Sequence, residues 1–249
     1  MKLRGENPVY KYAEKSGLYD YGNSYSATYQ GVALKTFYLL VITAAFALVF
    51  AYRLNVETFG TGRMIGVMIG APIIAIIAVI VTHRKPEIGM FTTLIYAGAE
   101  GTFIGFISAL YGYMYGGQII QMALMGTFGV LGGMLFLYST GIIRVGNFFK
   151  KAMMSALVGL IFASILLLIL SFTGIAMQTF ETLYIGIVVL SVIISSLFLL
   201  YDFKMVTEFV DAGAPKEMEW SLALGLVVTI VWLYLELLRL FAIIAGKRD

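Results

Sequence analysis

A chain of 249 residues with 60% hydrophobic and 12% charged side chains is far poorer in charge than soluble domains, where about a quarter of residues are charged. Apolar stretches of about twenty residues recur along it, which predicts one polytopic helical membrane domain and leaves no room for a separate soluble catalytic domain. A net charge of +3, no cysteine and a single histidine, His83, exclude disulfide frameworks, thiolate zinc sites, cysteine nucleophiles and multi-histidine zinc hydrolases; no basic run interleaved with aromatics points to nucleic acid.

The first thirty residues are polar and tyrosine-rich, with Lys2, Arg4, Lys11 and Lys15. They lack the short apolar core and small-x-small cleavage site of a secretory signal. Residues 1–34 therefore read as a cytoplasmic N-terminal arm, and residues 35–249 as an all-α domain of seven transmembrane helices. Tyr21, Tyr25 and Tyr29 recur every four residues, a spacing that suits an amphipathic helix lying at the headgroups.

The expected spans are Thr36–Tyr52, Met64–Val81, Met90–Leu110, Ile119–Tyr138, Met153–Phe172, Leu183–Tyr201 and Leu222–Ile244. Aromatic residues gather at several of their ends, among them Tyr111, Tyr113, Tyr115, Phe148, Phe149 and Trp220, as an interfacial belt requires. Pro72 predicts a bend in span two, and Gly116-Gly117 a tight turn between spans three and four. Glycines four apart (Gly66 and Gly70, Gly101 and Gly105, Gly129 and Gly133) predict faces on spans two, three and four where helices touch. With the N-terminus in the cytoplasm, twelve loop lysines and arginines lie inside and four (Arg53, Arg63, Lys247, Arg248) outside. That bias places the N-terminus inside and the C-terminus outside.

Four ionisable residues fall within the apolar runs: Glu100 on span three, Asp202 at the cytoplasmic end of span six, and Glu236 and Arg239 on span seven. Such residues are costly in lipid and point to function or to an ion pair. Ser191, Ser195 and Asp202 share roughly one face of span six; Glu236 and Arg239, three apart, share one face of span seven. Two readings stay open. In one, Arg239 neutralises Glu100 or Glu236 and the ions only hold span seven in place. In the other, a carboxylate lacking its own cation lies near Asp202; two such groups cannot both ionise cheaply, and deprotonated together they would offer oxygens to a hard cation such as Ca²⁺. Three embedded acids against one embedded cation favour a cation path over an anion path. His83 and Arg84, at the cytoplasmic end of span two, are either ordinary anchors or a latch that pairs with Asp202 to shut the inner mouth. An intramembrane hydrolase is not expected, because no nucleophile–base pair or metal-ligand set is present.

Three stretches carry a resemblance: Ile95-Tyr96-Ala97-Gly98-Ala99-Glu100-Gly101-Thr102-Phe103-Ile104-Gly105, then Leu200-Tyr201-Asp202-Phe203, and most specifically Glu219-Trp220 with Gly225 through Leu240. Through them the chain resembles the Bax inhibitor-1 family of seven-helix membrane proteins, in particular its bacterial branch, from about residue 33 to the end. The resemblance implies six helices surrounding a central seventh, residence in a bacterial plasma membrane, and no enzyme activity or cofactor. It also implies a pH-sensitive calcium leak channel, in which an acid on span six and one on span seven form the sensor and a basic residue of span two the latch. Carried over, the resemblance implies that Asp202 and Glu236 are the sensor and the Ca²⁺ ligands, and that the latch is His83 or Arg84. The span-seven acid is Glu where the family more usually has Asp, and the connection is longer, turning near Ala212 to Pro215. Other bacterial relatives restrain a membrane-bound protease, so the alternative is a non-conducting regulator that binds such a protease or another membrane partner.

Overall fold

Peptide groups in a long apolar run find no partners in lipid, so the run must close its hydrogen bonds upon itself as a helix. The computed structural model describes residues 26–54, 60–172 and 181–247. Its long helices are α1 (Tyr29–Arg53), α2 (Thr61–Arg84), α3 (Gly89–Tyr115), α4 (Gln118–Ser139), α5 (Asn147–Phe172), α6 (Glu181–Asp211) and α7 (Met218–Gly246). A single 3-10 turn, Pro86–Ile88, joins α2 to α3. All seven helices are long and apolar enough to cross a membrane, and each corresponds to one expected span.

The ends differ from expectation where capping, not hydropathy, decides them. Helix α1 starts seven residues before the expected Thr36, because the Thr28 hydroxyl accepts the Gly31 N–H at 2.9 Å and caps the first turn. Residues 29–34, expected in the arm, are therefore helical. The remainder of the arm up to residue 25, with Tyr21 and Tyr25, lies outside the described residues. Helix α6, at 31 residues, extends about 46 Å, well beyond a hydrocarbon core of about 30 Å. Pro72 sits inside α2, which continues on both sides of it. The two expected turns are built on glycines with positive φ: Gly116 (+88°) after α3, and Gly213 (+71°) between α6 and α7.

Two compact units divide the chain: Met1–Phe106 with Lys204–Val227, and Ile107–Phe203 with Val228–Asp249. In the first, α3 lies directly on α1. A Cβ on Gly101 or Gly105 would overlap the backbone carbonyl oxygen of Thr43 or Ala47, so this glycine pair serves the close approach expected of it. In the second, the Ser108 and Tyr234 hydroxyls bond at 2.8 Å, and a Cβ on Gly246 would meet the Tyr115 ring at 3.1 Å, so α3 and α7 run parallel there. The other two glycine pairs do not behave as expected. Around Gly66, Gly70, Gly129 and Gly133 a Cβ would meet nothing within 4 Å among the described residues. Their spacing is right, but no described helix comes within 4 Å of them. Burial also separates the helices: 56% of the apolar stretch of α7 is buried against 11% for α5. Helix α7 is thus the most enclosed of the seven.

Candidate functional site

The polar stripe expected on α6 is present and buried. Ser191, Ser195 and Ser196 are all shielded. The last two donate back to the Val192 carbonyl at 3.1 and 2.6 Å, as a serine within an apolar helix must when no other acceptor is near. The Ser191 hydroxyl has no such outlet and is buried without a hydrogen-bond partner among the described residues. Three turns on from Ser191, Asp202 receives a hydrogen bond from the Thr229 hydroxyl of α7. Its second oxygen, Oδ2, is buried without a partner among the described residues. A buried polar atom left unpaired costs about 1–3 kcal/mol, and native structures retain few of them. On the same stretch of α6, Phe198 packs edge-on against Tyr201 and Trp232 at 5.9 and 5.7 Å, and Phe203 packs at a tilt against Tyr138 at 5.7 Å.

Glu236 is bonded quite differently. It is 7% exposed, accepts from Trp232 Nε1 at 3.3 Å, and pairs with Arg239 at 3.2 Å. Both partners lie on its own helix, four and three residues away. The Arg239 side chain is 42% exposed, so the protein encloses this pair mainly on the Glu236 side. Of the two partners left open for Arg239, the ion pair is made with Glu236. Glu100 stands half-buried on α3, one turn after the buried Tyr96.

The two acids expected to share a proton thus have separate partners. Thr229 and Glu236 are seven residues apart on α7, about 10 Å along its axis. The register that brings Thr229 to Asp202 therefore sets Glu236 about two turns further on. Both latch candidates, His83 and Arg84, are exposed at the end of α2, where His83 Nδ1 lies 2.9 Å from the Val79 carbonyl of its own helix. Among the described residues no three His, Cys, Asp or Glu side chains come together. Calcium takes six to eight oxygens. At Asp202 the described residues bring together one carboxyl and the Thr229 hydroxyl.

One cluster escaped the sequence reading. Glu219, in the first turn of α7, is 2% exposed and accepts from the Thr28 N–H at 2.8 Å, the Thr28 hydroxyl at 3.1 Å and Lys35 Nζ at 2.5 Å. A Cβ on Gly31 would overlap that carboxylate, so only glycine lets α1 begin so close to it. Lys35 Nζ also stands 4.9 Å over the Trp220 ring, against which Tyr38 packs edge-on at 6.5 Å. The Tyr29 hydroxyl donates to Asp211 at 2.6 Å, and the Ala27 N–H to the Ala214 carbonyl at 2.7 Å. Together these contacts clasp the start of α1 to the α6–α7 connection. The sequence signals are an acid at the head of an apolar run, where the helix dipole favours it, and the Glu219-Trp220 pair of the resemblance; nothing local names the partners of Glu219.

The family described as Bax inhibitor 1 like matches the chain over residues 7–246. No curated protein matches it.

Proposed function

The chain belongs to the Bax inhibitor 1-like family, and from that premise we propose that it forms a pH-sensitive leak path for calcium across its membrane, with Asp202 as the gating acid. The observation that carries this reading is the half-satisfied Asp202 carboxyl, bonded to Thr229 through one oxygen and unpartnered at the other, on the same α6 face as the buried Ser191 and Ser195. With a proton on Asp202 the stripe is neutral and the path is closed. Loss of that proton leaves a carboxylate among hydroxyls, which draws a cation into the path. Calcium is then cargo, held briefly by oxygens while it retains water. Glu236, already paired with Arg239, contributes negative potential to the path in this reading instead of sharing a proton with Asp202. The N-terminus lies in the cytoplasm, as the twelve-to-four distribution of loop cations favours.

Calcium flux into liposomes, followed against external pH, tests this. Flux through the parent should rise with pH. In Asp202→Asn the pH dependence should flatten, whereas in Glu236→Gln it should persist. Loss of pH dependence in both single variants would restore the paired sensor. An Asp202→Asn profile that matches the parent would discard the gating role altogether.

The uncovered glycine faces of α2 and α4 favour a second reading, a regulator that docks on another membrane protein such as a protease. Bulky substitutions at Gly66 and Gly129 should then abolish co-purification of that partner from native membrane without changing flux.

A further inference from the structure

Beside the close approach of α3 to α1, the first unit opens a cleft of about 260 Å³ lined by Phe46, Val49, Phe50, Arg53, Leu54 and Thr102. Positions 46, 49, 50 and 53 recur at helical spacing, so one face of the last two turns of α1 forms its wall. Two of these side chains, Phe46 and Val49, remain 49% and 59% exposed, so the trough is open along its length. The Thr102 hydroxyl is already used, donating to the Gly98 carbonyl at 2.8 Å. The walls are otherwise apolar, and the one charged lining group is Arg53, at the end of the cleft in the last turn of α1.

That distribution narrows the occupant. A compact polar ligand would find almost no hydrogen-bond partners along the walls and would lose its hydration for nothing. A plain hydrocarbon would fill the trough but leave the guanidinium unused. The volume lies below the range of about 300–1,000 Å³ usual for drug-sized ligands, which suits one extended chain better than a compact ligand. Arginine at the end of an apolar helix extends its head to the membrane surface, where a planar fork of donors matches a phosphate. We propose that this cleft is a binding site for an anionic phospholipid, with one acyl chain along Phe46, Val49 and Phe50 and the headgroup phosphodiester on Arg53. The site is separate from the α6–α7 acids and does not depend on the chain being a channel.

Native mass spectrometry of the full chain in detergent micelles, titrated with dioleoyl phosphatidylglycerol or dioleoyl phosphatidylcholine, tests the proposal. The parent should retain one phosphatidylglycerol at least about fivefold more tightly than phosphatidylcholine, the factor expected from about 1 kcal/mol per basic side chain at an anionic headgroup. Arg53→Gln should bind the two lipids equally. Val49→Trp, which fills the trough at a position facing lipid, should lose the bound phosphatidylglycerol. Arg63→Gln, which removes an exposed arginine outside the cleft, should bind as the parent does. Glycerol 3-phosphate, the headgroup chemistry without chains, should not displace the lipid. Equal retention of both lipids by the parent, parental binding in Arg53→Gln or Val49→Trp, a loss in Arg63→Gln equal to that in Arg53→Gln, or displacement by glycerol 3-phosphate would each overturn the assignment.

Discussion

Helix α7 carries two buried glutamates, and they are held by opposite means. Glu219 draws its three hydrogen bonds from Thr28 and Lys35, which lie 191 and 184 residues away in sequence. Glu236 draws both of its bonds from Trp232 and Arg239, within one turn of itself. The first therefore fixes where one helix begins against another, while the second satisfies itself without fixing anything beyond α7. An embedded acid is not by that fact a functional acid. What matters is whether its partners are local, remote or missing, and Asp202 is the one of these acids with an oxygen left over.

The largest effect should come from breaking the remote set. Glu219→Leu strands Lys35, whose side chain is 19% exposed, together with the Thr28 N–H, and should lower stability by about 3–5 kcal/mol, read as a fall in melting temperature of the purified protein. Adding Lys35→Met should recover part of that loss, because the uncompensated charge goes with it. The corresponding cut at the local set, Glu236→Gln, should cost less than the cut at Glu219, because an amide oxygen can still accept from Trp232 and Arg239. A loss at Glu236 as large as that at Glu219 would erase the contrast.

How far these differences were legible follows from their range along the chain. Seven spans could be read because hydropathy is a property of each stretch alone, and the Glu236–Arg239 pair because i and i+3 are neighbours on any helix. The clasp could not be read. Thr28 and Gly31 look like ordinary residues of the arm, and Lys35 like an ordinary loop cation, until Glu219 arrives from the other end of the chain. Asp202 is marked by its apolar surroundings, but its bond to Thr229 is not, because the register of α6 against α7 is set through a connection that turns at Gly213. With that register, a threonine that no local signal singles out bonds to Asp202.

Next in size is the α1–α3 approach. Gly105→Val would drive a side chain into the Ala47 carbonyl and should cost about 1–3 kcal/mol through forced separation of the helices. A smaller effect is expected at the polar stripe. Thr229→Val removes the single hydrogen bond to Asp202, worth about 1 kcal/mol. It should also shift the pH profile of calcium flux without flattening it, because the acid itself remains. If the profile is unmoved, Thr229 is no part of the gate.

The smallest effect sharpens the comparison most, because its sign is informative. Gly129 has the same four-residue spacing as Gly105, but a Cβ there would meet nothing within 4 Å among the described residues. Gly129→Ala should therefore leave stability unchanged or raise it by up to about 1 kcal/mol, the propensity difference between the two residues in a helix. Spacing alone predicts a loss at both positions; geometry predicts a loss only at Gly105. A destabilisation at Gly129 in the purified protein would mean that another surface covers this face under the conditions of measurement. A second copy of the chain is then the first candidate, and the melting temperature of the parent should rise with protein concentration. A neutral or positive result leaves α4 turned to lipid, and it shows that a glycine pair in a membrane helix marks a contact only where a neighbouring backbone has come close enough to need it.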